Sequence, residues 1–148
     1  MTRGCTILLL IPLIPLIAGA DKPSDAAKKD LERLQGDWKV VTAQRRGKDV
    51  PAEVAAMMAV TVKDNAITIG DGGVRDEKAT LSNLDPSKSP ASFALQPVRP
   101  GSESLPGIYK LDGDNLTLCW SKKGERPTEF VTKEGSDHLL LVLKRASK

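Results

Sequence analysis

Residues 105–120, LPGIYKLDGDNLTLCW, decide the fold. Tyr109 and Leu111 alternate with Lys110, then Asp112-Gly113-Asp114-Asn115 supplies residues that tolerate positive φ, and Leu116, Leu118 and Trp120 alternate back past Thr117. Apolar side chains at every second position on both sides of a tight turn spell a β-hairpin with one dry face and one wet face.

The same period extends in both directions. Upstream, Phe93 and Leu95 share a face after a loop from Asp85 to Pro90, and Pro97 to Pro106 reads as a connection. Val60 and Val62, then Ile67 and Ile69, flank the Asp64-Asn65 turn. Gly70-Asp71-Gly72-Gly73 forms a further turn, and the charged stretch from Val74 to Leu81 reads as an edge-like strand. Trp38, Val40 and Thr42 alternate with Lys39, Val41 and Ala43 ahead of an Arg46-Gly47-Lys48 turn. Downstream, Thr128 to Thr132 reads as a short strand. Leu139 to Leu143 is apolar on both faces and needs cover on each. About eight short strands with closely spaced turns predict a mainly β, antiparallel up-and-down barrel, neighbouring strands pairing in sequence order.

Two helices interrupt this pattern. Ser24 is placed to cap a helix carrying Ala27, Leu31 and Leu34 on one stripe, a candidate cover for the last strand, with Gly36 just past its end. Pro51 opens a short helix between the first two strands, where Val54, Met57 and Met58 share a face by their spacing.

Residues 1–20 stand apart. Arg3 precedes an apolar run from Ile7 to Ile17 that ends in Ala18-Gly19-Ala20, the small-x-small pattern of a cleavage site. The run falls short of the roughly 20 apolar residues of a membrane span, and Pro12 and Pro15 disfavour a straight helix. The expected organisation is a signal peptide over 1–20, a polar leader over 21–28 and a barrel domain over 29–146. The product is then exported, periplasmic or secreted, without stable membrane insertion. Cleavage after Ala20 removes Cys5 and leaves Cys119 alone, so the domain relies on its core rather than a disulfide. It also removes one of 22 basic side chains and none of 19 acidic ones, leaving a net charge of +2. That balance offers no field for nucleic acid.

No chemistry converges in the sequence. Cys119 and the single histidine, His138, are the only nucleophile–base pair on offer, and Cys119 runs out of phase with Leu118 and Trp120, as an apolar filler would. One histidine and one cysteine build no zinc site. Asp112-Gly113-Asp114 lacks the later glutamate of a calcium loop. Glu125 and Glu129 read as solvated charges beside the Arg126-Pro127 turn. The expectation is a protein that is not an enzyme and holds no cofactor. A barrel of this size is either filled by its own side chains or holds one small ligand. For a ligand, the candidate contacts are Phe93, Tyr109, Leu118 and Trp120 within the barrel, with Val54, Met57 and Met58 closing its mouth. The expected partner is a small apolar molecule or an envelope protein; a filled envelope interaction domain is the alternative.

Gly36-Asp37-Trp38 resembles the Gly-x-Trp that opens the first strand of lipocalin and fatty-acid-binding (calycin) barrels. Lys144-Arg145 resembles the basic residue that lies over that tryptophan in those folds. A guanidinium on an indole face attracts by about 0.5–2 kcal/mol. The blocks KDLERLQGDWKVV, LPGIYKLDGDNLTLCW, RPTEF and LLLVLKR, across residues 29–145, resemble an uncharacterised exported domain family abundant in planctomycete bacteria. The resemblance implies a calycin-like barrel with no assigned activity. Trp120 departs from the pattern, which has a smaller aromatic there.

Overall fold

The computed structural model describes residues 24–70 and 75–146. The signal segment, the start of the leader and the turn expected at 71–73 lie outside the described residues.

Helix α1 (Asp25–Leu34) begins at Ser24, whose Oγ accepts a hydrogen bond from the Ala27 amide at 3.1 Å. It buries Ala27 and Leu34 and stops at Gly36, whose φ of +113° is open to glycine and costly for other residues. Strand β1 (Gly36–Arg45) follows, then a two-residue strand β2 (Lys48–Asp49) and helix α2 (Ala52–Met57). Seven strands come next: β3 (Ala59–Lys63), β4 (Ala66–Gly70), β5 (Asp76–Asp85), β6 (Ala91–Pro97), β7 (Leu105–Asp112), β8 (Asn115–Ser121) and β9 (His138–Arg145).

Each strand from β3 onward pairs antiparallel with the next, and β1 pairs with both β3 and β9. The result is a closed up-and-down barrel of eight strands, with β2 attached to the end of β1. Closure removes the exposed backbone edges that an open sheet would leave.

Alternation sends one face of every strand inward. Trp38, Val60, Ile67, Phe93, Leu116, Leu141 and Leu143 are all essentially inaccessible. Gly107 sits opposite both Phe93 and Trp120 in the ladder. A Cβ built there would lie 2.6 Å from the Phe93 ring and 2.9 Å from the Cys119 carbonyl oxygen. The missing side chain is what gives the Phe93 ring its place.

The end of the barrel beneath α1 is sealed. The Trp38 indole N–H donates to the Leu34 carbonyl at 2.9 Å, and the Arg145 guanidinium lies 4.3 Å from the indole ring centre. Arg145 also donates to the carbonyls of Gln35 at 2.8 Å and Arg33 at 2.6 Å. Gln35 reaches across to the β3–β4 turn, donating to the Asp64 carbonyl at 2.7 Å and accepting from its amide at 2.6 Å.

Four details differ from the sequence expectation. A bulge at Val41 shifts the β1 phase, so Ala43 rather than Thr42 follows Val40 inward. The charged stretch is no edge, because β5 pairs on both sides and points its charges outward or toward the mouth. Residues 128–132 form no strand. Phe130 instead packs on the outside of the barrel against Ile108, Cys119 and Leu140. That segment, and not the Leu31–Leu34 stripe, covers the outer apolar face of β9; Leu31 and Leu34 join the main core.

Because the Phe93 ring and a backbone oxygen both crowd Gly107, Gly107→Ala is expected to lower the unfolding free energy by about 1–3 kcal/mol in urea titration. Unchanged stability would mean that the ring has room to move aside.

Candidate functional site

The barrel is filled unevenly along its axis. Beneath α1, Trp38, Tyr109, Leu116 and Leu143 occupy the interior. The next layer outward contains Phe93, Leu118 and Gly107. Above it, at the end remote from α1, the core gives way to a cavity of about 440 Å3. Its apolar lining comes from Ile69, Ala79, Leu95, Pro97, Leu105 and Trp120, and Val98 adds to it from the β6–β7 loop. Asp76, Glu77, Lys78, Arg99 and Lys122 stand around it, all solvent-exposed.

The register explains this placement. Trp120, Leu105 and Leu95 are the last inward side chains of their strands at this end, two positions beyond Leu118, Gly107 and Phe93 respectively. Ile69 pairs with Glu77, and Ala79 with Pro97, which continues the inward row round β4, β5 and β6. The volume falls within the roughly 300–1,000 Å3 of small-molecule pockets.

Of the seven candidate ligand contacts, Trp120 lines the cavity. Phe93 and Leu118 are buried beneath it. Tyr109 lies deeper still. Its hydroxyl donates to Asp30 on α1 at 2.6 Å, and its ring meets Phe93 edge to face with centroids 6.1 Å apart. Burial, then the contact with Asp30, push the Tyr109 phenol above its ordinary range.

Helix α2 is no lid over the cavity. Val54 and Met57 face solvent, 39% and 57% exposed, whereas Ala55 is buried and Met58 packs on the core. None of Val54, Met57 and Met58 is among the cavity's lining residues. The reason lies in the strand pairing. β1 and β3 are joined only over Gly36–Lys39 and Ala59–Val62. Beyond Lys39, α2 packs against β1, and the Val50 amide donates to the Ala43 carbonyl at 2.8 Å. The helix replaces missing wall rather than covering the opening.

A second recess, of about 600 Å3, lies outside the barrel between α1, the β5–β6 loop and residues 128–130. Its Asp30 is already engaged by Tyr109 and by Arg33 at 3.4 Å, and charged residues are interleaved through its lining. The mouth cavity, with its continuous apolar floor, is the better candidate despite its smaller volume.

The sequence reading missed Glu77, Arg99 and Lys122 at the mouth. Lys122 extends the β8 alternation one step past Ser121, a signal that was present. Arg99 sits in a loop, where no period exists to place it. Glu125 and Glu129 are both exposed in the 122–137 segment, and the Asp114 carboxylate accepts from Arg145 Nε at 3.3 Å at the β7–β8 turn.

Cys119 and His138 share the outer face of the barrel, opposite Leu140 and Ser121 respectively. Cys119 is fully buried under the 122–137 segment, its Sγ 4.0 Å from the Val131 carbonyl oxygen. Burial pushes its thiol up from 9.0 to about 11, the reverse of an activated nucleophile. A raised pKa means that folding favours the protonated thiol. The resulting stability is complete below the unfolded value and is lost as the pH climbs through about 11. Labelling of Cys119 by a thiol reagent at pH 8 is expected to be at least about a hundredfold slower in the native than in the unfolded protein. Equal rates would contradict this burial.

Compared with models of protein families, with curated proteins and with solved structures, the chain finds no match.

Proposed function

We propose that this protein is an exported, non-enzymatic binding module whose barrel mouth takes up a small apolar molecule. The observation that carries the reading is the cavity of about 440 Å3 floored by Leu95, Leu105 and Trp120. Apolar surface left open to water at the end of a packed core gains free energy when an apolar guest covers it, by about 25 cal/mol per Å2. Export is supported by the Ile7–Ile17 run and the Ala18-Gly19-Ala20 ending. The resemblance of residues 29–145 to an exported planctomycete domain family is consistent with both, and that family brings no activity with it. The alternative, an envelope interaction domain, draws on the filled lower interior and on Val41, Val54 and Met57, which present apolar side chains outside the barrel.

The test uses the mature protein, whose first residue is expected by N-terminal sequencing to be Asp21. A neutral apolar dye such as Nile red should bind saturably, gain fluorescence, raise the melting temperature and perturb Trp120 emission. Leu105→Lys, which puts an ammonium on the cavity floor, should weaken binding by about tenfold or more while leaving the circular dichroism spectrum unchanged. A panel of apolar probes that shifts neither emission nor melting temperature would refute the small-molecule reading and leave the interaction domain.

A further inference from the structure

The mouth carries more information than its apolar floor. Glu77 follows the inward phase of β5, between Ala79 in the same strand and Ile69 across the ladder. Lys122 follows the inward phase of β8, two positions after Trp120; its amide donates to the Asp137 carbonyl at 2.9 Å, which carries the β8–β9 ladder one step further. Lys78 and Asp76 fall in the opposite, outward phase. Arg99 stands on the β6–β7 loop between β5 and β8. A carboxylate and an ammonium therefore face the same apolar recess from opposite walls.

They do not reach each other. Among the described residues the ion pairs are Arg33–Asp30, Arg46–Asp137 and Arg145–Asp114, and neither Glu77, Lys122 nor Arg99 takes part in one. Strands β5 and β8 are separated by β6 and β7, three inter-strand steps of about 4.8 Å, or roughly 14 Å along the wall. Opposite charges held apart over an apolar floor are complemented by a guest bearing both signs some distance apart on an apolar body. A single amino acid carries its charges on adjacent atoms and cannot span such a gap. Two residues of extended chain reach about 7 Å, which leaves length for the side chains of Glu77 and Lys122 to meet the ends.

Building on the proposed binding function, we infer that the preferred guest is a short apolar peptide with free termini. Its ammonium lies toward Glu77, its carboxylate toward Lys122 and Arg99, and its side chains rest on Leu95, Leu105 and Trp120. Nothing covalent is required.

The experiment titrates the purified protein with the dipeptide Leu-Phe, its N-acetyl form, its C-terminal amide and neutral Nile red, reading heat and tryptophan emission. Free Leu-Phe is expected to bind about tenfold more tightly than either capped form, a preference reduced by added salt. Glu77→Gln should erase the discrimination against the N-acetyl form. Lys122→Gln combined with Arg99→Gln should erase that against the amide. All three changes are at exposed positions, and Nile red binding should survive them as a check on folding. If Nile red binds and the capped dipeptides bind as well as the free one, or no dipeptide binds, the peptide inference is overturned and the apolar pocket stands. If Nile red fails as well, both are overturned.

Discussion

The end of α1 presents carbonyl groups that have no partner within the helix, and everything else in the fold is organised around satisfying them. A helix leaves its last four carbonyls without intrahelical partners. Here Trp38, from the first strand, takes the Leu34 oxygen, while Arg145, from the last strand, takes those of Arg33 and Gln35 and lies on the Trp38 ring. Trp38 and Arg145 are also direct partners across the seam that closes the barrel. One cluster therefore docks the helix, joins the first strand to the last and seals one end. Hydrogen bonds to a charged group contribute about 1.5–3 kcal/mol each, and the stacking adds about 0.5–2 kcal/mol. The bond to Asp114 is more exposed and contributes less.

Sealing one end determines where a site is able to form. Large inward side chains near α1 fill the section beneath it, and Gly107 lets the Phe93 ring cross the middle of the barrel. Further along, the strands end at different heights, β6 stopping opposite Ala79 while β5 extends to Asp76. The interior is left with a floor and no side chain to fill the last layer. The charged residues of the strand ends and loops then border an apolar hollow. Helix α2 meets a different demand, closing the wall where β1 outruns β3.

Much of this architecture was legible in the sequence because a strand's period of two is a local property. The 105–120 hairpin, the Ser24 cap, the Gly36 break and the meeting of Trp38 with Arg145 follow from alternation, turn chemistry and a resemblance carried by a few residues. What was not legible depended on tertiary partners. The Val41 bulge changes phase within a strand without a compositional mark. Val54, Met57 and Met58 share a helical face in spacing, yet Ala55 is the residue turned to the core, because a narrow gap in the wall admits a small side chain. Phe130 sits in an irregular segment whose apolar anchor becomes meaningful only beside Cys119 and Leu140. Among the cavity residues, Trp120 and Leu95 could be placed inward from the sequence, but their position as the last layer required the register of every neighbouring strand.

The central claim is that Trp38 and Arg145 act as one unit. A double-mutant cycle on urea unfolding, with Trp38→Phe, Arg145→Lys and their combination, measures this directly. Phenylalanine keeps a ring but loses the N–H, and lysine keeps a charge but cannot fork between two carbonyls over the ring. A coupling free energy of about 0.5–3 kcal/mol is predicted. Additive losses, within about 0.3 kcal/mol, would show that the helix and the seam are held independently and contradict the account.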